Sequence, residues 1–234
     1  MTRMTAGALL AVLIVMLLAS PLPSLHAATI IQTQGFVGQP NLEKSLTFNQ
    51  FDPTRGILQT VQLQLDLGIS GGSLTVDNDS MLPATVSVGL GAKGQVRSDH
   101  VRLLDDSLSP VLAGSTAVVV STGSIIELGA DNGDGAVFDP TSPDADTHAG
   151  GETASTGIGR VNSDLLDDFL GEDVFRIVAD VDPLIDFGES GGVSGQFDPV
   201  TVSGNVILTY VYVPEPAGLV LLLLGLAGIA RRRR

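Results

Sequence analysis

The feature that most restricts the fold is the strict alternation of apolar and polar residues over residues 60–67. Successive side chains of a β-strand point to opposite faces, so one face of this segment is apolar and the other polar. The apolar face carries Val61, Leu63, Leu65 and Leu67, and the opposite face carries Gln62, Gln64 and Asp66. The pattern predicts a half-buried strand of an antiparallel sheet.

Short segments of the same character recur along the chain and are separated by turn residues such as Gly71-Gly72. The further predicted strands are 74–76, 85–90, 101–104, 117–121, 125–128, 174–181 and 200–213. In the body of the chain only residues 163–170 predict a helix, with Ser163 as its cap. Short strands at this spacing are typical of a sandwich or a closed barrel, and we predict an all-β fold, an antiparallel β-sandwich of the jelly-roll or immunoglobulin-like kind.

The N-terminus, residues 1–27, has the organisation of a secretory signal peptide. Arg3 precedes an apolar run over 6–19, prolines follow, and Ala27 and Ala28 are small residues suited to cleavage. A transmembrane anchor is the alternative, but the run is about 14 residues long and a comfortable span needs roughly 20. We therefore predict a signal helix and export through the Sec translocon.

The C-terminus also predicts a membrane segment. Pro-Glu-Pro at 214–216 is followed by an uninterrupted apolar stretch over 217–230 and by arginines at 231–234. As a helix the stretch would be roughly 21 Å long, shorter than a bilayer core of about 30 Å. Arginines after an apolar segment stay in the cytoplasm, which places the body outside. The segment predicts a single transmembrane helix suited to temporary anchoring.

The order of motif, short helix and basic stop resembles the PEP-CTERM sorting signal of Gram-negative bacteria. The residues that carry the resemblance are Val213, Pro214, Glu215, Pro216 and Ala217, then Gly225-Leu226-Ala227-Gly228, then Arg231, Arg232, Arg233 and Arg234. The resemblance implies processing by an exosortase, an integral-membrane cysteine protease. It also implies transient anchoring in the inner membrane before delivery to the envelope surface or the extracellular space.

The body, residues 28–213, has a second resemblance. Residues 48–53, with Gly56-Ile57-Leu58 after them, and the later strand 206–212 are similar to the choice-of-anchor E domain. That resemblance implies a β-rich bacterial surface domain without established catalytic residues to transfer.

The body is strongly acidic and contains no cysteine, so neither disulfides nor thiolate metal sites contribute. Residues 28–213 hold 25 acidic and 7 basic residues, which leaves the body near −18. Such a surface repels nucleic acid and anionic lipid, and excludes both as expected partners. It could attract divalent cations or basic polymers.

The segment 129–159 is rich in Asp, Gly, Ser and Thr and predicts a long acidic loop. Its candidate calcium ligands are Asp131, Asp134, Asp139 and Asp144. Calcium prefers six to eight oxygen ligands on backbone kept tight by glycine, and the spacing resembles thrombospondin type 3 repeats. It departs from the EF-hand, because Gly133 stands at the third ligand position. A solvated acidic loop, whose Asn-Gly and Asp-Gly pairs make turns, is the alternative.

Two serines, Ser70 and Ser190, have Gly-x-Ser-x-Gly spacing, but strand patterns follow both where a nucleophile elbow requires a helix. His100 and His148 lack the partners and spacing of a zinc site. We therefore predict no enzyme and no required cofactor. The leading interpretation is a structural or adhesive protein of the envelope or biofilm matrix. The alternative is a secreted calcium-dependent binding module for exopolysaccharide or a partner surface protein.

Overall fold

The chain folds into twelve β-strands in a computed structural model that describes residues 26–103, 112–188 and 191–215. The strands are β1 (Ala28–Gly38), β2 (Leu42–Asn49), β3 (Gly56–Ser70), β4 (Ser73–Asn78), β5 (Ala84–Arg97), β6 (Leu112–Ser115), β7 (Val118–Leu128), β8 (Ala145–Ala149), β9 (Thr153–Val161), β10 (Val174–Phe187), β11 (Val193–Asp198) and β12 (Thr201–Pro214). The helical elements of the described residues are two 3-10 helices, Pro53–Arg55 and Ser163–Phe169.

β3 confirms the strand predicted at 60–67. The four valine and leucine side chains of its predicted inner face are at most 1% exposed, whereas Gln62 and Gln64 are half-buried. β3 pairs with β12 along one edge and with β9 along the other, antiparallel in both cases. The alternation therefore identifies a strand in the interior of a sheet, which has one face buried and is paired with a neighbouring strand on each side.

The strands form three antiparallel sheets. The five-stranded sheet has the order β1-β12-β3-β9-β6, the four-stranded sheet β2-β10-β5-β7, and the three-stranded sheet β11-β4-β8. Side chains of all three sheets enter one buried apolar cluster, and β3 contacts both β5 and β7 across it. The all-β prediction is confirmed, and the layered arrangement is consistent with a β-sandwich.

The three-stranded sheet continues the five-stranded one around a bend. β3 leads into β4, β8 into β9 and β11 into β12, and the same chain segments are neighbours in both sheets. The bends lie at Gly71-Gly72, Gly150-Gly151 and Pro199-Val200, and the Gly150 N–H donates to the Gly72 carbonyl at 2.9 Å. We call this region the sheet corner, because three neighbouring strands pass there from one sheet into another.

The strand predicted at 101–104 is wrong over its described part. Residues 101–103 form bends, although Val101 and Leu103 are buried. The Ser98 hydroxyl and the Asp168 carboxylate accept hydrogen bonds from backbone N–H groups of this segment, which replaces the pairing of a strand. The apolar residues there indicated burial rather than strand structure.

Two further details of the predicted elements differ in the structure. The strands predicted at 117–121 and 125–128 are one strand, β7, because Gly123 continues the pairing with β5. The helix predicted at 163–170 is a 3-10 helix whose cap position is Asn162 rather than Ser163.

The acidic connection is shorter than the predicted span of 129–159. β8 and β9 occupy much of it, so its irregular part is 129–144. Two inward positions of β9 are Gly157 and Gly159, where a Cβ would lie 2.9 Å from the Ser115 carbonyl oxygen and 2.7 Å from the Leu112 side chain. Because close packing places glycine at these positions, β9 lacks the apolar alternation that identifies a strand.

The predicted transmembrane helix falls outside the described residues. So does the predicted signal peptide, except for its last two residues, His26 and Ala27. The same is true of the basic stop at 231–234. Within the described ranges, no helix has the length and apolar character needed to cross a membrane.

Candidate functional site

The two ends of the body lie side by side at one edge of the five-stranded sheet. Ala28 opens β1 and pairs with Tyr212, and Pro214 closes β12 and pairs with Gly56. Ala27, the other predicted cleavage residue, is exposed just before β1. The predicted N-terminal cleavage residues and the start of the sorting motif are therefore neighbours in space.

The predicted sorting motif begins inside a strand. Val213 and Pro214 are the last two residues of β12, and Glu215 follows them exposed. A Cβ at Gly56 would lie 2.1 Å from the Val213 carbonyl oxygen, so this strand end is packed closely against β3. Outside the described residues lie Pro216, Ala217 and the four arginines at 231–234. The folded body thus passes into the motif without an intervening linker.

An acidic cluster lies beyond the sheet corner, away from the sorting motif. Asp131, Asp134 and Asp144 each place a carboxylate oxygen within 4.8 Å of the other two. β12 runs from the corner to the motif over 14 residues, which at about 3.3 Å per residue is a length of roughly 45 Å. The structure therefore separates the acidic cluster from the end of the sheet that carries the sorting motif.

Backbone N–H groups shape the acidic cluster. Asp131 Oδ1 accepts hydrogen bonds from Gly133 and Gly135 at 3.0 and 3.2 Å. Both glycines have left-handed φ angles, +105° and +66°, which glycine adopts without strain. Asp144 Oδ2 accepts from the Asn132 N–H at 3.1 Å. The Asn-Gly and Asp-Gly pairs thus allow the chain to curl around Asp131 and reach Asp144.

The pKa values of Asp131 and Asp134 are shifted in opposite directions. The hydrogen bond from the Gly133 N–H is the main cause that lowers the pKa of Asp131. Desolvation raises the pKa of Asp134, and the neighbouring Asp131 and Asp144 raise it further. A proton held between Asp134 and Asp131 would relieve the repulsion between these carboxyl groups. A bound cation would relieve the same repulsion.

Asp139, the fourth predicted calcium ligand, does not join the acidic cluster. Its Oδ1 accepts from the Thr141 hydroxyl at 2.6 Å and from the Thr141 N–H at 2.9 Å, and these bonds lower the pKa of Asp139. Its own N–H donates to Asp77 Oδ2 at 2.8 Å, 62 residues away along the chain.

Sequence reasoning missed Asp77, which is 1% exposed at the end of β4. Its second oxygen, Oδ1, accepts from the Ser142 hydroxyl at 3.2 Å. Asp77 therefore ties residues 139–142 to the three-stranded sheet. It follows the buried Val76, so strand alternation predicts that its side chain faces solvent. No local pattern links it to the loop that covers it.

Ser70 is the last residue of β3 and lies at the sheet corner. Gly71 and Gly72 follow it with φ angles of +65° and +79° and lead into β4, whereas a nucleophile elbow leads into a helix. Ser190 lies outside the described residues, and His100 lies in an exposed bend. The glycine-rich context of Ser70 serves a change of sheet.

A serine–histidine pair that the sequence did not indicate joins β7 to β8. The Ser124 hydroxyl lies 3.0 Å from His148 Nδ1. A nucleophile–base pair needs a third group that orients the base. The other ring nitrogen, Nε2, is buried and has no hydrogen-bond partner among the described residues. The orienting contact of a catalytic triad is therefore not present in the described part of the chain.

Comparison with known proteins gives little similarity outside the tail. No curated protein matches the chain. Among solved structures, that of infectious bursal disease virus Gx strain is 14% identical over 80% of this chain and 43% of the viral chain, with a TM-score of 0.15. The VP2 subviral particle of the same virus is 12% identical over 82% of this chain and 42% of that chain, also with a TM-score of 0.15. The chain thus spans about two fifths of these viral proteins.

The tail does match a known family. Residues 213–234 match the family described as "PEP-CTERM protein-sorting motif", which confirms the predicted sorting signal. The similarity of the body to the choice-of-anchor E domain stays a prediction. The chain carries a PEP-CTERM sorting motif, which indicates an exported protein that passes through the membrane and is processed by an exosortase.

Proposed function

We propose that the chain is a non-enzymatic protein of the cell surface or extracellular matrix, with a structural or adhesive role in the envelope or biofilm. One observation carries the proposal: β12 is paired on both sides within the larger sheet and runs directly into the sorting motif. The delivered product is then the folded β-rich body, residues 28 to about 213. Its tail specifies the route of delivery.

The proposed order of events follows from the position of the two ends. The Sec translocon exports the chain, and the signal is removed at Ala27 or Ala28. β1 then pairs with β12 while the C-terminal segment still holds the body at the inner membrane. An exosortase cuts at the motif and releases the domain. During anchoring, β12 extends roughly 45 Å from the motif to the sheet corner, and the acidic cluster lies beyond that corner.

The charge of the body favours some partners over others. With 25 acidic and 7 basic residues over 28–213, it repels nucleic acid and anionic lipid. Partners that suit it are divalent cations, basic polymers and exopolysaccharide that divalent cations bridge to it. A structural or adhesive role in a matrix is consistent with these partners.

The sorting step is tested by removing the part of the motif that follows β12. Deletion of Glu215 and Pro216 leaves β12 intact and should leave the protein uncleaved in the inner-membrane fraction. Fractionation with an antibody and mass spectrometry of the mature chain measure this. Glu152→Ala, which removes an exposed glutamate near the sheet corner, is the control and should be processed normally. Unchanged processing of the deletion variant would refute the proposed route.

A second function, a calcium-dependent binding module for polysaccharide or a partner surface protein, is favoured by the convergence of three carboxylates in the acidic cluster. Glycan arrays and pull-downs with and without calcium separate the two functions, since only the binding module requires a specific ligand.

The proposal that the protein is not an enzyme has its own test. Labelling of Ser70, Ser124 or Ser190 by a serine-reactive fluorophosphonate probe would contradict it.

A further inference from the structure

The acidic cluster contains a buried carboxylate oxygen that the protein itself does not satisfy. Asp144 is 2% exposed, and its Oδ2 accepts from the Asn132 N–H. Its Oδ1 is buried and has no hydrogen-bond partner among the described residues. A buried charged oxygen is unfavourable unless it is paired, and here two further carboxylates lie close by.

No basic side chain compensates this charge in the described part of the chain. The ion pairs found there are Arg55–Asp52, Arg97–Glu43 and Arg102–Asp168, and none includes a member of the acidic cluster. The ligand that suits three carboxylates and an unpartnered buried oxygen is a cation. The cluster of carboxylates alone would not indicate one, but the orphaned Oδ1 of Asp144 does.

We propose that Asp131, Asp134 and Asp144 bind a calcium ion. All three offer oxygen, the ligand atom of hard cations, and they come from an irregular loop rather than from a rigid octahedral cage. Calcium tolerates irregular geometry and takes further oxygens from carbonyl groups and water, whereas magnesium demands a near-ideal octahedron. Extracellular calcium modules have dissociation constants of about 10⁻⁴ to 10⁻³ M, and we expect a value in this range here.

The ion would connect the two ends of the acidic loop. Asp131 lies near its start, where its N–H donates to the Ser80 carbonyl at 2.8 Å, and Asp144 lies directly before β8. Asp77 binds the middle of the loop to β4. Calcium thus closes residues 131–144 on the edge of the three-stranded sheet. The inference does not depend on the sorting function, because the site lies wholly within the body.

Calcium-dependent stability tests the proposal on the full chain, purified in mild detergent. Calcium at ten times its dissociation constant should favour the folded state about 11-fold. For a domain of this size, that is a rise in Tm of about 3 to 6 °C over the value in EDTA. Magnesium at the same concentration should give a much smaller rise. Isothermal titration should give one site per chain. No calcium-specific rise up to 10 mM, or an equal rise with magnesium, would overturn the proposal.

Asp144→Asn distinguishes a calcium ligand from an aspartate that is merely structural. The amide retains an acceptor for the Asn132 N–H, and its NH₂ group can donate to Asp131 or Asp134. Its Tm in EDTA should therefore equal or exceed that of the wild type, and calcium should no longer raise it. A loss of stability in EDTA together with a retained calcium response would overturn the assignment.

Two further variants keep the test decisive if Asp144→Asn fails to fold. Asp134→Asn changes a more exposed ligand and should weaken calcium binding at least tenfold in the titration. Asp146→Asn is the matched control, because it removes the same charge from the exposed face of β8. In the wild type, the Asp146 carboxylate accepts a hydrogen bond from the Thr147 N–H. The control variant should retain the calcium response. Equal calcium binding by Asp134→Asn and the wild type, or loss of the response in Asp146→Asn, would show non-specific screening.

Discussion

Gly71 and Gly72 are a matched pair that tests whether the sheet corner depends on close packing. Both residues have left-handed φ angles, +65° and +79°, so alanine at either position is strained by the backbone conformation. They differ in their surroundings. A Cβ at Gly71 would have nothing within 4 Å, whereas a Cβ at Gly72 would lie 2.9 Å from both the backbone nitrogen and Cγ1 of Val200.

The expected magnitudes follow from this difference. Gly71→Ala should lower the free energy of unfolding by about 1 kcal/mol, the cost of a left-handed conformation for an alanine. Gly72→Ala carries the same cost and also displaces Val200, which is 2% exposed in the core. Overpacking of a core adds about 1 to 3 kcal/mol, so the total should be about 2 to 4 kcal/mol. That is a large part of a typical stability of about 5 to 15 kcal/mol.

Urea unfolding, followed by far-ultraviolet circular dichroism, measures both variants under the same conditions. The two unfolding midpoints should differ while the slopes stay equal, because the change lies in the folded state. Equal destabilisation by the two substitutions, or a larger effect at Gly71, would refute the close contact between β3–β4 and β11–β12 at the sheet corner.

Two other contacts give predictions that are measured in the same way. Tyr210→Phe removes a buried hydroxyl that donates to the Asn49 carbonyl at 2.9 Å, and should lower the free energy of unfolding by about 1 kcal/mol; unchanged unfolding would refute a contribution from this bond. Arg102 lowers the pKa of Asp168 from its ordinary 3.8 through a side-chain hydrogen bond. The pair therefore stabilises the fold fully above about pH 4 and loses its effect as the pH falls through the lowered pKa. The stability difference between the wild type and Arg102→Ala should be smaller at pH 2 than at pH 6, and a difference that does not shrink over this range would contradict this account.

Local pattern was sufficient for four strands that lie in the middle of a sheet. All or nearly all of the residues predicted for β3, β5, β10 and β12 lie in the observed strand, because one face of each enters the core. Burial then imposes alternation on the sequence itself. The all-β class and the sorting tail could also be predicted from the sequence, because each depends on patterns of residues that are adjacent in the chain.

The short edge strand β8 and the closely packed strand β9 could not be predicted in this way. β8 is short and polar, and β9 has glycine where other strands have apolar side chains. The backbone pairing of β9 with β3 supplies its hydrogen bonds whatever its side chains are. Conversely, Val101 and Leu103 are buried without forming a strand. Apolar residues therefore indicated burial. They indicated strand structure only where apolar and polar residues alternated regularly.

The candidate calcium site shows the same division. The sequence alone determined that Asp131, Asp134 and Asp144 lie in one acidic, glycine-rich segment that can curl tightly. Only the tertiary structure decided that these three converge, that Asp139 turns away to Thr141, and that buried Asp77 fastens the loop to β4. It also decided that the predicted N-terminal cleavage residues lie beside the sorting motif. Periodicity and motifs act over a few neighbouring residues, whereas strand pairing and the sheet corner bring together residues that are far apart in the chain.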